Sequence, residues 1–197
     1  MNFDFWLFQQ INNLAGRWAA LDWLGIFFAG YAQYVVVAGL LIFWFWGKSR
    51  EESRKNLAAA GAALGAVVLS RLVLTEIIRW VWFRPRPFVD HAVNLLISHD
   101  NAGSFPSGHA AFFFALAMAF YLCDRAIFPE SFDKLRVNWS RRVAVCLFLA
   151  AILISLARVF VGVHYPSDIL VGALVGALGG WLVVQLYVKI VSIKNNL

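Results

Sequence analysis

Residues 143–168 read VAVCLFLAAILISLARVFVGVHYPSD. Positions 143–163 hold one charged side chain, Arg158, in an otherwise apolar run. A helix of that length crosses a hydrocarbon layer of about 30 Å. After His164 and Tyr165 comes Pro166, which suits the first turn of a new helix, and apolar residues then continue to 191. Two membrane spans joined by a short polar turn are expected here. Reading outward, further apolar runs lie at 23–46, 57–83 and 107–123. The run at 107–123 is short, so its first turn should sit below the lipid headgroups. The chain thus reads as one all-α membrane domain over 1–197, a polytopic bundle of about five transmembrane helices. Ahead of the first, Phe3, Leu7 and Ile11 repeat at i, i+4, with Trp6 and Leu14 beside the stripe. That pattern fits an interfacial helix, or equally a helix packed on the bundle.

Composition agrees. Of 197 residues 61% are hydrophobic and 14% charged, more apolar surface than a soluble domain of this length hides. The net charge is +6, yet the basic residues sit mostly in short loops between apolar runs. This distribution argues against a nucleic-acid partner and for membrane orientation. Lys48, Arg50, Arg54, Lys55, Arg125, Lys134, Arg136, Arg141, Arg142, Lys189 and Lys194 all fall on one side of the five spans. The opposite side has Arg17, Arg84 and Arg86. The positive-inside rule makes the crowded side cytoplasmic, with the C-terminus there and the N-terminus outside. Cys123 and Cys146 fall near the reducing side and read as free thiols, with no metal-ligand spacing. An early Asp4 and no basic first segment argue against a cleaved signal peptide.

Arg71, Glu76, Arg79 and Arg158 lie within or at the edge of spans, where a charge needs a partner or a purpose. For Arg71 and Glu76 an internal salt bridge is the favoured reading. Arg79 and Arg158 approach the outer ends of different helices, as if to flank an anion. Pro106-Ser107-Gly108-His109 opens the third span from that same outer side, and His164-Tyr165-Pro166-Ser167-Asp168 joins the fourth and fifth there. Taken singly, His91 and His99 read as interfacial residues, Asp168 as a helix N-terminal acid and Pro-Ser-Gly as a turn. Their convergence on one face, fixed by loop charges alone, points to a site.

The chemistry that these groups permit is phosphoryl transfer. Arg79, Arg86 and Arg158 can neutralise phosphate oxygens, because a guanidinium binds them in bidentate fashion and stays charged. Ser107 can cap the third helix, with the amides around Gly108 aimed at the anion. Asp168, four residues after His164, can hold one ring nitrogen and leave the other free as nucleophile. His109 can protonate the departing oxygen. A phosphohistidine intermediate, hydrolysed by water, would follow. Neither a metal nor another cofactor is required, since three arginines supply positive charge.

These residues resemble the three-part signature of the type 2 phosphatidic acid phosphatase superfamily: Lys, six residues, Arg-Pro; Pro-Ser-Gly-His; and Ser-Arg, five residues, His, three residues, Asp. Arg86-Pro87, Pro106-Ser107-Gly108-His109, Arg158, His164 and Asp168 match. Arg79 stands where the family has Lys, and Ala157 where it has Ser. The resemblance implies a metal-independent helical bundle with His164 as nucleophile, Asp168 orienting it and His109 as acid. Arg79, Arg86, Ser107, Gly108 and Arg158 would hold phosphate. Residues 11–16 (INNLAG), 84–88 (RPRPF) and 161–166 (VGVHYP) are further similar to the bacterial undecaprenyl-diphosphate phosphatases of the bacitracin-resistance type. That likeness implies a lipid diphosphate substrate, recycling of the cell-wall carrier lipid, and a multi-pass place in the bacterial inner membrane with the site facing the periplasm. Phosphatidylglycerophosphate or phosphatidate would use the same motifs. An anion transporter is the reading from another class; it explains charges in helices but not an imidazole four residues before a carboxylate. The sequence does not speak to oligomeric state.

Overall fold

A computed structural model describes residues 3–45, 50–100, 103–127 and 134–195. Trp46, at the end of the first expected span, and the loop residue Lys48 lie outside them. The described chain is helical: α1 (Phe3–Asn12), α2 (Ala19–Ile26), α3 (Ala32–Phe45), α4 (Arg50–Val67), α5 (Thr75–Val81), α6 (Pro87–Asp90), α7 (Gly108–Ile127), α8 (Lys134–Phe160) and α9 (Pro166–Asn195). Wider π turns at Phe27–Tyr31 and Val68–Leu74 join α2 to α3 and α4 to α5. Among the described residues, four stretches are long and apolar enough to cross a membrane: Ala19–Ile42, Asn56–Val81, Arg142–Phe160 and Pro166–Ile190. A shorter apolar helix, Gly108–Cys123, completes the five spans expected from the sequence.

The short helix lies at the centre. Ala110, Ala111, Phe113, Ala115, Leu116, Ala117 and Ala119 of α7 are buried against α9, α8 and α4. Contact with α9 is close because α9 carries Gly172, Gly176 and Gly180 on one stripe. A Cβ at Gly172 would meet the Ser107 carbonyl, and one at Gly176 would meet the Ala111 carbonyl and the Ala115 amide. Small residues four apart let two helix backbones approach where lipid supplies no hydrophobic drive between them. The reverse face of α9 presents Leu170, Leu174 and Leu178, all exposed, as a lipid-facing surface requires. Trp80, Trp82 and Phe83 are exposed at the end of α5, where amphipathic rings suit the membrane boundary.

The N-terminal helix packs on the bundle, as one of the two readings of its sequence has it, and keeps Phe3 and Trp6 exposed. Phe8 is buried in a cluster with Ala110, Val159, Tyr165 and Ile169. Asn12, also buried, donates through Nδ2 to the carbonyls of Asn94 (2.9 Å) and Phe160 (2.8 Å), and its Oδ1 accepts from the Asn94 amide (2.9 Å). One side chain so ties α1, the segment after α6 and the C-terminus of α8. Gly162 follows at φ +91°, a backbone conformation that side chains resist, and leaves room for Asn12 and the Asn94 carbonyl.

Candidate active site

All eight sequence-derived candidates fall at one end of the bundle. Ser107 precedes α7 as its N-cap, with its hydroxyl 3.5 Å from the Ala110 amide, at the limit of a hydrogen bond. Its own amide donates to the Asp168 carbonyl at 2.9 Å. The Pro-Ser-Gly-His turn is thereby attached to the start of α9. His164 and Asp168 are fully buried, and His164 Nδ1 lies 3.4 Å from Asp168 Oδ2. That carboxylate oxygen also accepts from the Tyr165 amide at 2.9 Å. On the far side of the ring, Arg86 Nη1 comes 3.3 Å from Nε2 of His164 and donates to the Val163 carbonyl at 3.0 Å. A guanidinium only donates. With Arg86 at Nε2, the ring therefore carries its proton on Nδ1, toward Asp168, and keeps the Nε2 lone pair. Burial, then the charges of Arg158, Arg86 and Arg79, hold the imidazole well below its ordinary pKa of 6.5, so it is neutral.

The arginines are arranged around this ring. Arg158, on the last turn of α8, is buried and donates from Nη1 to the Ala29 carbonyl at 3.1 Å, in the π turn after α2. Its Nε and Nη2 are buried without a partner among the described residues. Arg79 donates to Glu76 (3.1 Å) and to the Pro106 carbonyl (3.2 Å), and its Nε is likewise buried and unpartnered among them. Donors kept out of water without an acceptor cost free energy. An oxyanion placed among these side chains would satisfy them. Asp100, exposed on the loop after α6, stands 3.8 Å from Arg86 Nη2 and accepts from His99 Nδ1 at 2.7 Å. His99 is itself held below its usual pKa by burial and by Arg86 and Arg158, against the pull of Asp100.

His109 is a neighbour of the nest but faces another way. Its Nε2 lies 2.7 Å from Oε1 of Gln33. Gln33 donates its amide to the Gly30 carbonyl at 3.0 Å, which fixes Oε1 as the atom meeting the ring and places a proton on His109 Nε2. Among the described residues, no group of three His, Cys, Asp or Glu side chains could hold a metal ion. Cys146 is an exposed free thiol, as expected, and Cys123 is buried.

Several contributors escape the sequence reading. Arg84 reads there only as a loop charge. It donates to Ser167 Oγ (2.7 Å), to Asp168 Oδ1 (2.9 Å) and to Asp4 of α1 (2.7 Å), and lies 3.8 Å over the Tyr165 ring. Burial alone would raise Asp4, but hydrogen bonds from Ser167 and Arg84 hold it below the usual carboxylate range. Gln33 gives no sequence signal, being one amide in an apolar run. The Arg84-Pro-Arg repeat and the early acid could have flagged Arg84 and Asp4. The Arg71–Glu76 ion pair forms as expected, and Glu76 also holds Arg79. His91, which reads as an interfacial residue, stacks on Phe5 at 3.8 Å.

A helical bundle with one buried imidazole, a second partly buried beside it, and three guanidinium groups near them fits a membrane phosphatase, and comparison with known proteins agrees. The PAP2 superfamily profile matches residues 59–192, and the chain belongs to that superfamily of membrane lipid phosphatases. It is 31% identical over 92% of its length, and 82% of the other protein's, to undecaprenyl-diphosphatase BcrC of Bacillus subtilis. Among solved structures it is similar to LpxE of Aquifex aeolicus, with a TM-score of 0.66 and 29% identity over 94% of this chain and 96% of that one. A phosphatidylglycerolphosphate phosphatase from Bacillus subtilis follows at 0.59 and 25%, covering 96% of this chain and 89% of that one.

Proposed function

We propose that the chain hydrolyses undecaprenyl diphosphate to the monophosphate, at the outer leaflet of a bacterial inner membrane, through a phosphohistidine intermediate. The observation that carries this reading is a neutral, buried His164 whose unprotonated Nε2 faces guanidinium donors, some of them without an acceptor among the described residues. The terminal phosphate enters between Arg79, Arg86 and Arg158, with the Gly108 amide at the helix N-terminus. Phosphate oxygens draw Arg86 from Nε2, and the exposed lone pair attacks phosphorus in line. A P–N bond forms as the anhydride P–O bond breaks. The lipid monophosphate departs with the proton of His109. A water then gives a proton back to His109 and attacks phosphorus, the P–N bond breaks, and inorganic phosphate leaves. Asp168 steadies the imidazolium character that His164 acquires on Nδ1.

The substrate assignment rests on the likeness to the undecaprenyl-diphosphatase. The likeness to a phosphatidylglycerolphosphate phosphatase favours a second reading, in which the same site takes that lipid. The experiment is a panel of lipid phosphates given to purified protein in detergent, reading inorganic phosphate. Undecaprenyl diphosphate should be the best substrate, and His164→Ala should abolish release from every member. A His164→Ala variant that still releases phosphate removes the nucleophile assignment. Retained anion flux with no hydrolysis by the wild type would favour a transporter.

A further inference from the structure

Gln33, Arg71 and His109 enclose one end of a cavity of about 550 Å³ whose lining does not include Arg79, Arg86, Arg158 or His164. Along α3, Gln33, Val37 and Leu41 recur at i, i+4, so they share one helix face with the polar residue at the outer end. The eight residue steps from Gln33 to Leu41 make that stripe about 12 Å long. Phe112 and Phe113 of α7 line the opposite wall. Tyr34, Val37 and Leu41 are exposed, so the groove opens toward the lipid-facing side. It is amphipathic along its length: a cation, an amide and an imidazole at the outer end, then hydrocarbon.

The cation is held in place by the signature turn itself. A Cβ on Gly108 would fall among the Cδ, Nε and Cζ atoms of Arg71. Arg71 therefore lies flat against the glycine one residue before His109, and only glycine leaves that space. Its position comes from the π turn Val68–Leu74, an irregularity that recurs at functional sites. Glu76 bridges Arg71 and Arg79. One carboxylate shared by two guanidinium groups leaves a net positive charge, and it fixes the two groups relative to each other.

We infer that Arg71 and Gln33 form a subsite for the lipid-proximal phosphate of a diphosphate substrate, with the hydrocarbon chain lying along the Val37–Leu41 face. This rests on the function proposed above and specifies its substrate class as an anhydride over a monoester. The placement follows the reaction. The bond that breaks joins the transferred phosphorus to the leaving oxygen, and that oxygen must lie near His109. In a diphosphate the next group is a second phosphate, and Arg71 stands there. A leaving phosphate, with a second pKa of about 6, is a far weaker base than an alkoxide, so its departure depends less on the proton of His109 and more on neighbouring positive charge. An alkoxide leaving group from a monoester needs the proton. A guanidinium therefore helps the first far more than the second.

The test compares farnesyl diphosphate with farnesyl monophosphate, which share one hydrocarbon, using the full chain in detergent micelles. The wild type should favour the diphosphate in kcat/KM. Arg71→Gln should cut that preference by about tenfold or more, chiefly through KM for the diphosphate, and Arg71→Lys should restore some of it. Gln33→Leu, which keeps the volume of a residue on the cavity wall, should shift the ratio in the same direction if Arg71→Gln fails to fold. Equal losses on both substrates, or a wild type that prefers the monophosphate, would overturn the subsite while leaving the lipid phosphatase reading intact. A wild type that releases phosphate from no lipid in the panel would sink that reading and this inference with it.

Discussion

At His164, the proposed nucleophile, the unusual feature is an imidazole kept neutral inside a positive nest. Burial removes the water that would solvate an imidazolium, and Arg158, Arg86 and Arg79 repel it further. The folded imidazole thus stays unprotonated as pH falls through 6.5, where a free imidazole would take up a proton. The acid limb of kcat/KM is expected below pH 6.5; a midpoint at or above that value in a pH–rate profile would contradict the buried neutral ring. Stability follows the same sign. The unfolded chain binds this proton near 6.5 and the folded chain does not, so the contribution is present above that pH and fades below it. Beside it, Arg84 donates to Asp168 at 2.9 Å, which suits it to position the ring through that carboxylate. Hydrogen bonds to charged groups contribute about 1.5–3 kcal/mol. Arg84→Gln should therefore lower kcat by about tenfold or more with KM nearly unchanged, and Arg84→Lys should recover some of the loss. Steady-state kinetics on one lipid phosphate decides it; a change confined to KM would place Arg84 on the substrate instead.

The elements owe their placement to small local irregularities. The π turn Phe27–Tyr31 presents the Ala29 carbonyl to Arg158, and the one at Val68–Leu74 carries Arg71 to Gly108. The glycine stripe of α9 seats α7 so closely that the Ser107 amide reaches the Asp168 carbonyl. Larger side chains there must push the α7 and α9 backbones apart, and overpacking alone costs about 1–3 kcal/mol. Gly176→Leu should accordingly lower the melting temperature in detergent by several degrees and abolish phosphate release. Gly39→Leu, on α3 with nothing within 4 Å of its Cβ position, should leave both near wild type. Matching Tm values for the two variants would refute the role of the stripe. The periodicity of α9 was open to inspection in the sequence, but a row of glycines names no partner; only the α7 backbone against it does.

For the whole molecule, the proposed orientation places the site outside and the basic loops inside. The arrangement is checked in intact cells carrying single cysteines, after Cys123 and Cys146 are replaced. Ser98→Cys, in the loop after α6, should react with a membrane-impermeant maleimide, and Ser53→Cys, in the basic segment, should react only after lysis. The reverse pattern would invert the topology. Some of this architecture was set by sequence alone. Apolar run length gives spans because a bilayer has a fixed thickness and backbone polar groups must be satisfied within it. His164 and Asp168, four apart, fall near each other across the turn that opens α9, and the glycine, imidazole and arginine motifs announce phosphate chemistry by residue type. Tertiary structure decided what no spacing encodes: that α1 folds onto the bundle, that Arg84 backs Asp168 from 84 residues away, and that Arg71, Gln33 and His109 line one cavity. Those contacts join segments far apart in the chain, and they depend on how closely helices pack, which is settled by atoms rather than by pattern.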